Sequence, residues 1–240
     1  MGAEVLLMQV VRFTEVADHR DLDRALTGLA QFDWVIFTSA NAVEFVARRA
    51  DVLKLMLNGR TTALPKVAAV GRATAEAAAV AGFPAELIAT GPGGRELAEE
   101  LAPRMKGARV LLPRSDRAGE ELPSALRVVG AEVTEVVVYR TEYVDVSGSP
   151  VLARILAGDV DAVTLASPSA FHALRDALGD IRLREMSRRT VLAAIGPTTA
   201  AAIRAAGLTG GVEADEQTAN GLARAVRRHL SERQPQRTHS

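Results

Sequence analysis

Short apolar runs alternate along this chain with longer, Ala-rich stretches whose apolar positions recur every three to four residues. The runs at 5–11, 34–37, 67–70, 110–112, 133–138, 160–165 and 191–195 predict strands. The stretches at 22–30, 42–49, 73–81, 95–102 and 120–129 predict amphipathic helices. Gly82, Gly130 and Gly207 each follow a helix end, where a left-handed residue closes the last turn. Buried strands alternating with helices predict α/β architecture, with parallel sheets covered on both faces and right-handed crossovers.

The pattern occurs twice. Gly2-Ala3-Glu4-Val5 returns as Gly130-Ala131-Glu132-Val133, and Arg12 returns as Arg140, a shift of 128. The same shift carries Asp33, Val35, Ser39 and Ala42 onto Asp161, Val163, Ser167 and Ala170. Later the shift is 125, taking Gly71, Thr74 and Gly82 onto Gly196, Thr199 and Gly207. Two copies are too few for a solenoid and predict two similar flavodoxin-like domains.

The copies differ at one place. Gly130 follows a predicted strand and helix (109–113 and 120–129), whereas only Met1 precedes Gly2. In a flavodoxin-type order that strand lies inside the sheet. Its absence would leave buried backbone groups unpaired, at about 1–3 kcal/mol each. A start codon assigned too late is the expectation. A natural truncation, or a strand donated by a neighbouring chain, are the alternatives.

Composition narrows the function classes. With 29 basic and 29 acidic residues the chain has no global field for nucleic acid or an anionic membrane. No apolar run approaches the roughly 20 residues of a bilayer span, and no signal-peptide pattern opens the chain. Cysteine is absent, and His19, His172, His229 and His239 are scattered, so no metal site is expected. The expected location is the cytoplasm. The polar tail at 231–240 is expected to be disordered.

No nucleophile elbow, phosphate loop or dinucleotide fingerprint is present. One local design recurs instead: a strand, then small hydroxyl residues, then a helix. It reads Phe37-Thr38-Ser39-Ala40-Asn41, Val70-Gly71-Arg72-Ala73-Thr74, Ala166-Ser167-Pro168-Ser169 and Ile195-Gly196-Pro197-Thr198-Thr199. Leu112-Pro113-Arg114-Ser115 is similar, and Gln217-Thr218-Ala219-Asn220 caps a helix in the same style. Singly, such residues read as helix N-caps. As a set at strand carboxyl ends, they predict a site for a polyanionic ligand. Tyr139 reads either as an aromatic packed between strands or as a phenol that gives a proton to a leaving group. Arg12 and Arg140 read as structural, Trp34 as buried, and Arg48-Arg49 and Arg227-Arg228 as solvated helix faces.

Over residues 2–230 the chain resembles the uroporphyrinogen-III synthase family. The resemblance rests on residues 33–43, on Val70-Gly71 with Thr74, on Val138-Tyr139-Arg140-Thr141, on Ser167-Pro168-Ser169-Ala170 and on Gly196-Pro197-Thr198-Thr199. The family normally opens with a strand ending in a Thr-Arg-Pro-like turn, the element that the repeat comparison finds unmatched. The resemblance implies one discontinuous domain (1–13 plus 142–240), a second (14–141), and a two-stranded linker. It implies a cytoplasmic, monomeric lyase without cofactor or metal, acting on hydroxymethylbilane. That linear tetrapyrrole polycarboxylate is cyclised through a spiro intermediate, with inversion of the last pyrrole and loss of water. Carried over, Tyr139 becomes the candidate acid. Ser39, Asn41, Thr74, Ser167, Ser169, Thr198 and Thr199 become candidate carboxylate contacts. The alternative is a non-catalytic two-lobed ligand-binding or regulatory domain derived from that fold, and a fragment of a fusion with another tetrapyrrole enzyme is a third reading.

Overall fold

The structure, a computed structural model, describes residues 2–55, 64–89, 94–209 and 211–233. Most of the predicted polar tail, 234–240, lies outside the described residues. The chain divides into two compact units, Met1–Arg12 with Tyr143–Ser240 (unit 1) and Phe13–Glu142 (unit 2).

From the first strand onward, the elements are β1 (Val11–Glu15), α1 (Arg20–Thr27), β2 (Trp34–Phe37), α2 (Ala40–Val52), β3 (Lys66–Val70) and α3 (Arg72–Val80). They continue with β4 (Leu87–Ala89), α4 (Gly94–Leu101), β5 (Arg109–Ser115), α5 (Glu121–Val128) and β6 (Glu132–Tyr143). The sheet order is β1-β6-β5-β2-β3-β4. β2 pairs in parallel with β3 and β5, β3 with β4, and β5 with β6. Counted from β5, the order β6-β5-β2-β3-β4 is the flavodoxin order 2-1-3-4-5, entered at its third strand. Continuously apolar strands suit this arrangement. All four residues of β2 are buried, with Val35 and Phe37 in the cluster on one face and Trp34 and Ile36 in that on the other.

Unit 1 contains α6 (Pro150–Ala157), β7 (Ala162–Leu165), α7 (Pro168–Ser187), β8 (Val191–Ala194), α8 (Pro197–Ala205), β9 (Val212–Glu213) and α9 (Ala219–Arg233). Its sheet has the order β7-β8-β9, all parallel. Leu165, Phe171, Leu192 and Ile203 anchor its larger core cluster. The strand predicted at 5–11 does not form in residues 2–10. Met8 and Val10 still pack on this core, but Val5 and Leu7 are 76% and 88% exposed. A strand needs a continuous ladder for its backbone groups, and here the Val10 carbonyl alone is engaged, accepting the Val144 N–H at 3.0 Å, among the described residues 2–10.

Gly82, Gly130 and Gly207 take φ of +87°, +93° and +74°, the left-handed closure predicted for them. Sequence periodicity missed β4 and β9, which are only three and two residues long. It also misread Arg49, which is no solvated side chain: its guanidinium forks onto Asp23 at 2.6 and 2.7 Å and ties α2 to α1. Arg12 and Arg140, expected to be structural, are exposed and make no ion pair among the described residues.

Candidate active site

In unit 2, β2 delivers the chain to Ser39 at its carboxyl end. Ser39 is extended (φ −155°, ψ 151°), and its Oγ accepts the Ala42 N–H at 3.1 Å, capping α2. Tyr139 lies on β6 in register with Ser115, the last residue of β5. From there its hydroxyl comes within 3.3 Å of Ser39 Oγ. The Tyr139 ring is 6% exposed, stacked on Phe45 at 5.3 Å and edge-on to Phe13 at 5.6 Å. Both readings of Tyr139 therefore have a physical basis here, since the ring is packed while the hydroxyl meets another polar group. Because Ser39 Oγ already accepts from Ala42, its own O–H can donate to Tyr139 Oη. Either hydroxyl of the pair can be the donor, and in the arrangement where Ser39 donates the phenolic proton is unengaged.

Sequence reading did not single out the polar cluster next to Tyr139. Ser115 Oγ lies 2.8 Å from Thr141 Oγ1, and Asp116 Oδ1 accepts the Thr141 N–H at 2.9 Å. Asp116 N–H in turn donates to the Tyr139 carbonyl at 3.2 Å. These bonds fix the last residues of β5 against β6 and so hold Tyr139 in place. The recurring strand–hydroxyl pattern at Leu112–Ser115 was the available signal, but the partner Thr141 becomes adjacent only through the sheet.

The remaining predicted contacts divide by position in the helix. In unit 1, Ser167 caps α7 as Ser39 caps α2, accepting the Ala170 N–H at 3.2 Å. The other five do not cap. Asn41, Ser169 and Thr198 are second residues of their helices, and Thr74 and Thr199 are third residues. None of these five side chains has a hydrogen bond among the described residues. Thr74 and Thr199 are 6% and 1% exposed, yet neither hydroxyl is an enclosed atom lacking a partner. Repeat mates in sequence, they occupy the same place in their respective units.

The electrostatics follow from the helix ends. α2, α3, α7 and α8 carry no acidic residue in the first turn, whereas α1 carries Asp21 and Asp23. Four helix N-termini at strand carboxyl ends thus keep their positive partial charge uncompensated, which favours anionic groups. Two surface hollows, one along α9 at Arg224 and Arg228 and one between α4 and α5, touch none of the predicted residues. Among the described residues no group of His, Asp and Glu could hold a metal, and no helix is long and apolar enough to cross a membrane.

The sequence matches the family model for uroporphyrinogen-III synthase HemD over residues 1–224. It is 29% identical over 231 residues to the uroporphyrinogen-III synthase of Synechococcus elongatus, an alignment covering 94% of this chain and 86% of that one. The fold is similar to a crystal structure of a mutant uroporphyrinogen III synthase from Thermus thermophilus, with TM-score 0.72, 24% identity and coverage of 95% and 89%. The Helicobacter pylori enzyme aligns with TM-score 0.55 at 17% identity, covering 93% and 91%. With its two α/β units, a parallel-dominated sheet and this set of relatives, the chain belongs to the uroporphyrinogen-III synthase family, whose members act in tetrapyrrole synthesis.

Proposed function

We propose that this chain is a lyase that closes hydroxymethylbilane to uroporphyrinogen III, working as a cytoplasmic monomer without metal or organic cofactor. The observation that carries the reading is the Ser39–Tyr139 hydroxyl pair at the carboxyl end of the unit 2 sheet. The Tyr139 O–H gives its proton to the departing hydroxyl of the substrate, which leaves as water. The electron-deficient methylene left behind is attacked by the substituted carbon of the last pyrrole, giving the spiro intermediate. In that intermediate the bond from the spiro carbon to the methylene of the preceding pyrrole breaks, the freed methylene bonds the unsubstituted α-carbon of the last pyrrole, and that carbon returns its proton to the phenolate, which leaves the ring inverted.

The rest of the work is positioning. The substrate's carboxylates accept from the free first-turn amides of α2, α3, α7 and α8. They also accept from the unpaired side chains of Asn41, Thr74, Ser169, Thr198 and Thr199, and from the hydroxyls of Ser39 and Ser167. Holding the chain folded suppresses the competing closure without inversion. Nothing in the comparisons favours a non-catalytic domain, since the relatives named above are synthases.

Tyr139→Phe keeps the ring contacts with Phe45 and Phe13 and removes the proton. Turnover is expected to fall by about 100-fold or more, with thermal stability nearly unchanged. A fully active Tyr139→Phe protein would remove Tyr139 from the mechanism.

A further inference from the structure

The residues of β6 change face at Tyr139. Before it they alternate: Val136 and Val138 enter the cluster that holds Phe37 and Phe45, Val133 packs on the opposite cluster, and Val137 is 43% exposed. Strict alternation would send Tyr139 to the side of Val137. Instead Tyr139 is buried in the same cluster as Val136 and Val138. Beyond it Arg140 is exposed and Thr141 buried, so the odd-numbered residues are now the buried ones.

A β-bulge makes the change. Arg114 of β5 lies opposite Val137, yet Ser115 lies opposite Tyr139, which leaves Val138 as the extra residue. In an even register Ser115 would face Val138. The Tyr139 ring would then leave Phe45, and its hydroxyl would leave Ser39. A bulge interrupts the ladder, so it persists where other groups take up the freed backbone.

Residues 115–117 supply those groups. Asp116 acts twice: its N–H donates to the Tyr139 carbonyl at 3.2 Å, and its Oδ1 accepts the Thr141 N–H at 2.9 Å. Arg117 Nε donates to the Thr141 carbonyl at 2.9 Å. The Ser115 hydroxyl donates to Asp116 Oδ1 at 3.1 Å and so aims that carboxylate. The loop that carries Asp116 is itself anchored. The Arg114 side chain, 7% exposed, pairs with Glu135 and with Glu120, and its guanidinium donates to the carbonyls of Ala118 and Gly119.

We propose that Asp116 is a positioning residue for the reaction. By accepting the Thr141 N–H it locks the bulge that turns the Tyr139 phenol toward Ser39, and so toward the departing hydroxyl of the substrate. This role rests on the reading of Tyr139 as the acid.

The test labels the chain with fluorotyrosine, which gives one fluorine resonance each for Tyr139 and Tyr143, the two tyrosines. The resonance lost in Tyr139→Phe is that of Tyr139. Asp116→Ala is expected to move this resonance by more than its linewidth toward its position in the unfolded chain, as the ring leaves Phe45 and Phe13. The same variant is expected to lower kcat at least about tenfold with KM nearly unchanged. Asp116→Asn keeps an acceptor at Oδ1 and is expected to retain both the native resonance and nearly native kcat. Native emission from Trp34, the single tryptophan and buried in unit 2, shows that a variant is folded. Should Asp116→Ala lack it, Ser115→Ala is read in its place, with the same shift expected.

A Tyr139 resonance that stays in place in the folded variant would overturn the proposal. So would an Asp116→Asn chain as impaired as Asp116→Ala, which would assign the effect to charge rather than to the bond. The resonance reads placement without catalysis. If it moves as expected while Tyr139→Phe is fully active, the acid reading fails and the lock on the bulge stands. If it stays while Tyr139→Phe is inactive, the lock fails and the acid reading stands.

Discussion

At Tyr139 two demands meet in one side chain. Its ring is held by Phe45 and Phe13, while its hydroxyl stands 3.3 Å from Ser39 Oγ. Ser39 serves both α2 and Tyr139, so Ser39→Ala is expected to show two effects. The lost cap costs about 1 kcal/mol of stability, read by urea unfolding. Turnover falls less than in Tyr139→Phe, because the phenol keeps its proton but loses the partner that points it. An Ser39→Ala enzyme with normal turnover would mean that Tyr139 needs no such orientation. Thr199 offers a cleaner separation. As the third residue of α8 it caps nothing, so Thr199→Val keeps its shape and removes only the hydroxyl. A several-fold rise in KM with stability nearly unchanged is expected, and an unchanged KM would strike Thr199 from the carboxylate contacts. The pattern of hydroxyls after strands was legible from sequence. Which of them cap was not, because that depends on where each helix takes its first turn.

Among the elements, the junctions between strand and helix carry the constraints. Gly71 caps α3 with φ +77° and ψ 158°, and a Cβ there would meet nothing within 4 Å. Gly71→Ala is therefore a test of backbone strain alone, expected to cost about 1–3 kcal/mol in chemical denaturation. Parity with the native chain would show that the junction relaxes freely. The bond between α1 and α2 makes a pH-dependent prediction. Hydrogen bonding to Arg49 holds the Asp23 carboxyl below its usual range. Its contribution is present above the unfolded carboxylate pKa and is lost as pH falls through the lower folded value. Asp23→Asn is thus expected to be less stable than the native chain near neutrality and equal to it in strong acid. A difference that persists in strong acid would point to packing rather than charge. Periodicity located α1 to α5 and the strands β2, β3, β5, β6, β7 and β8, because each has one face or both in a core; α7 to α9 are marked only by their caps or by the glycine after them, and α6 is not singled out. Periodicity missed β4 and β9, too short to show a period, and it placed a strand at 5–11, of which only Val11 lies in β1.

For the molecule as a whole, duplication explains more than any single motif. The offsets of 128 and 125 that relate Asp33 to Asp161 and Thr74 to Thr199 also relate β2 to β7 and α3 to α8. They made the two-unit plan readable without coordinates. The structure adds what the offsets do not show: Val5 and Leu7 are exposed, and β7 is half-buried where its mate β2 is buried throughout. The clustering of Ser115, Asp116 and Thr141 behind Tyr139 also stayed hidden, since residues 26 apart in sequence meet only through the β5–β6 register. Freshly prepared hydroxymethylbilane is supplied to the purified chain, the products are oxidised, and the uroporphyrin isomers are quantified. Predominance of the type III isomer is the predicted result, and formation of type I alone, the spontaneous product, would contradict it.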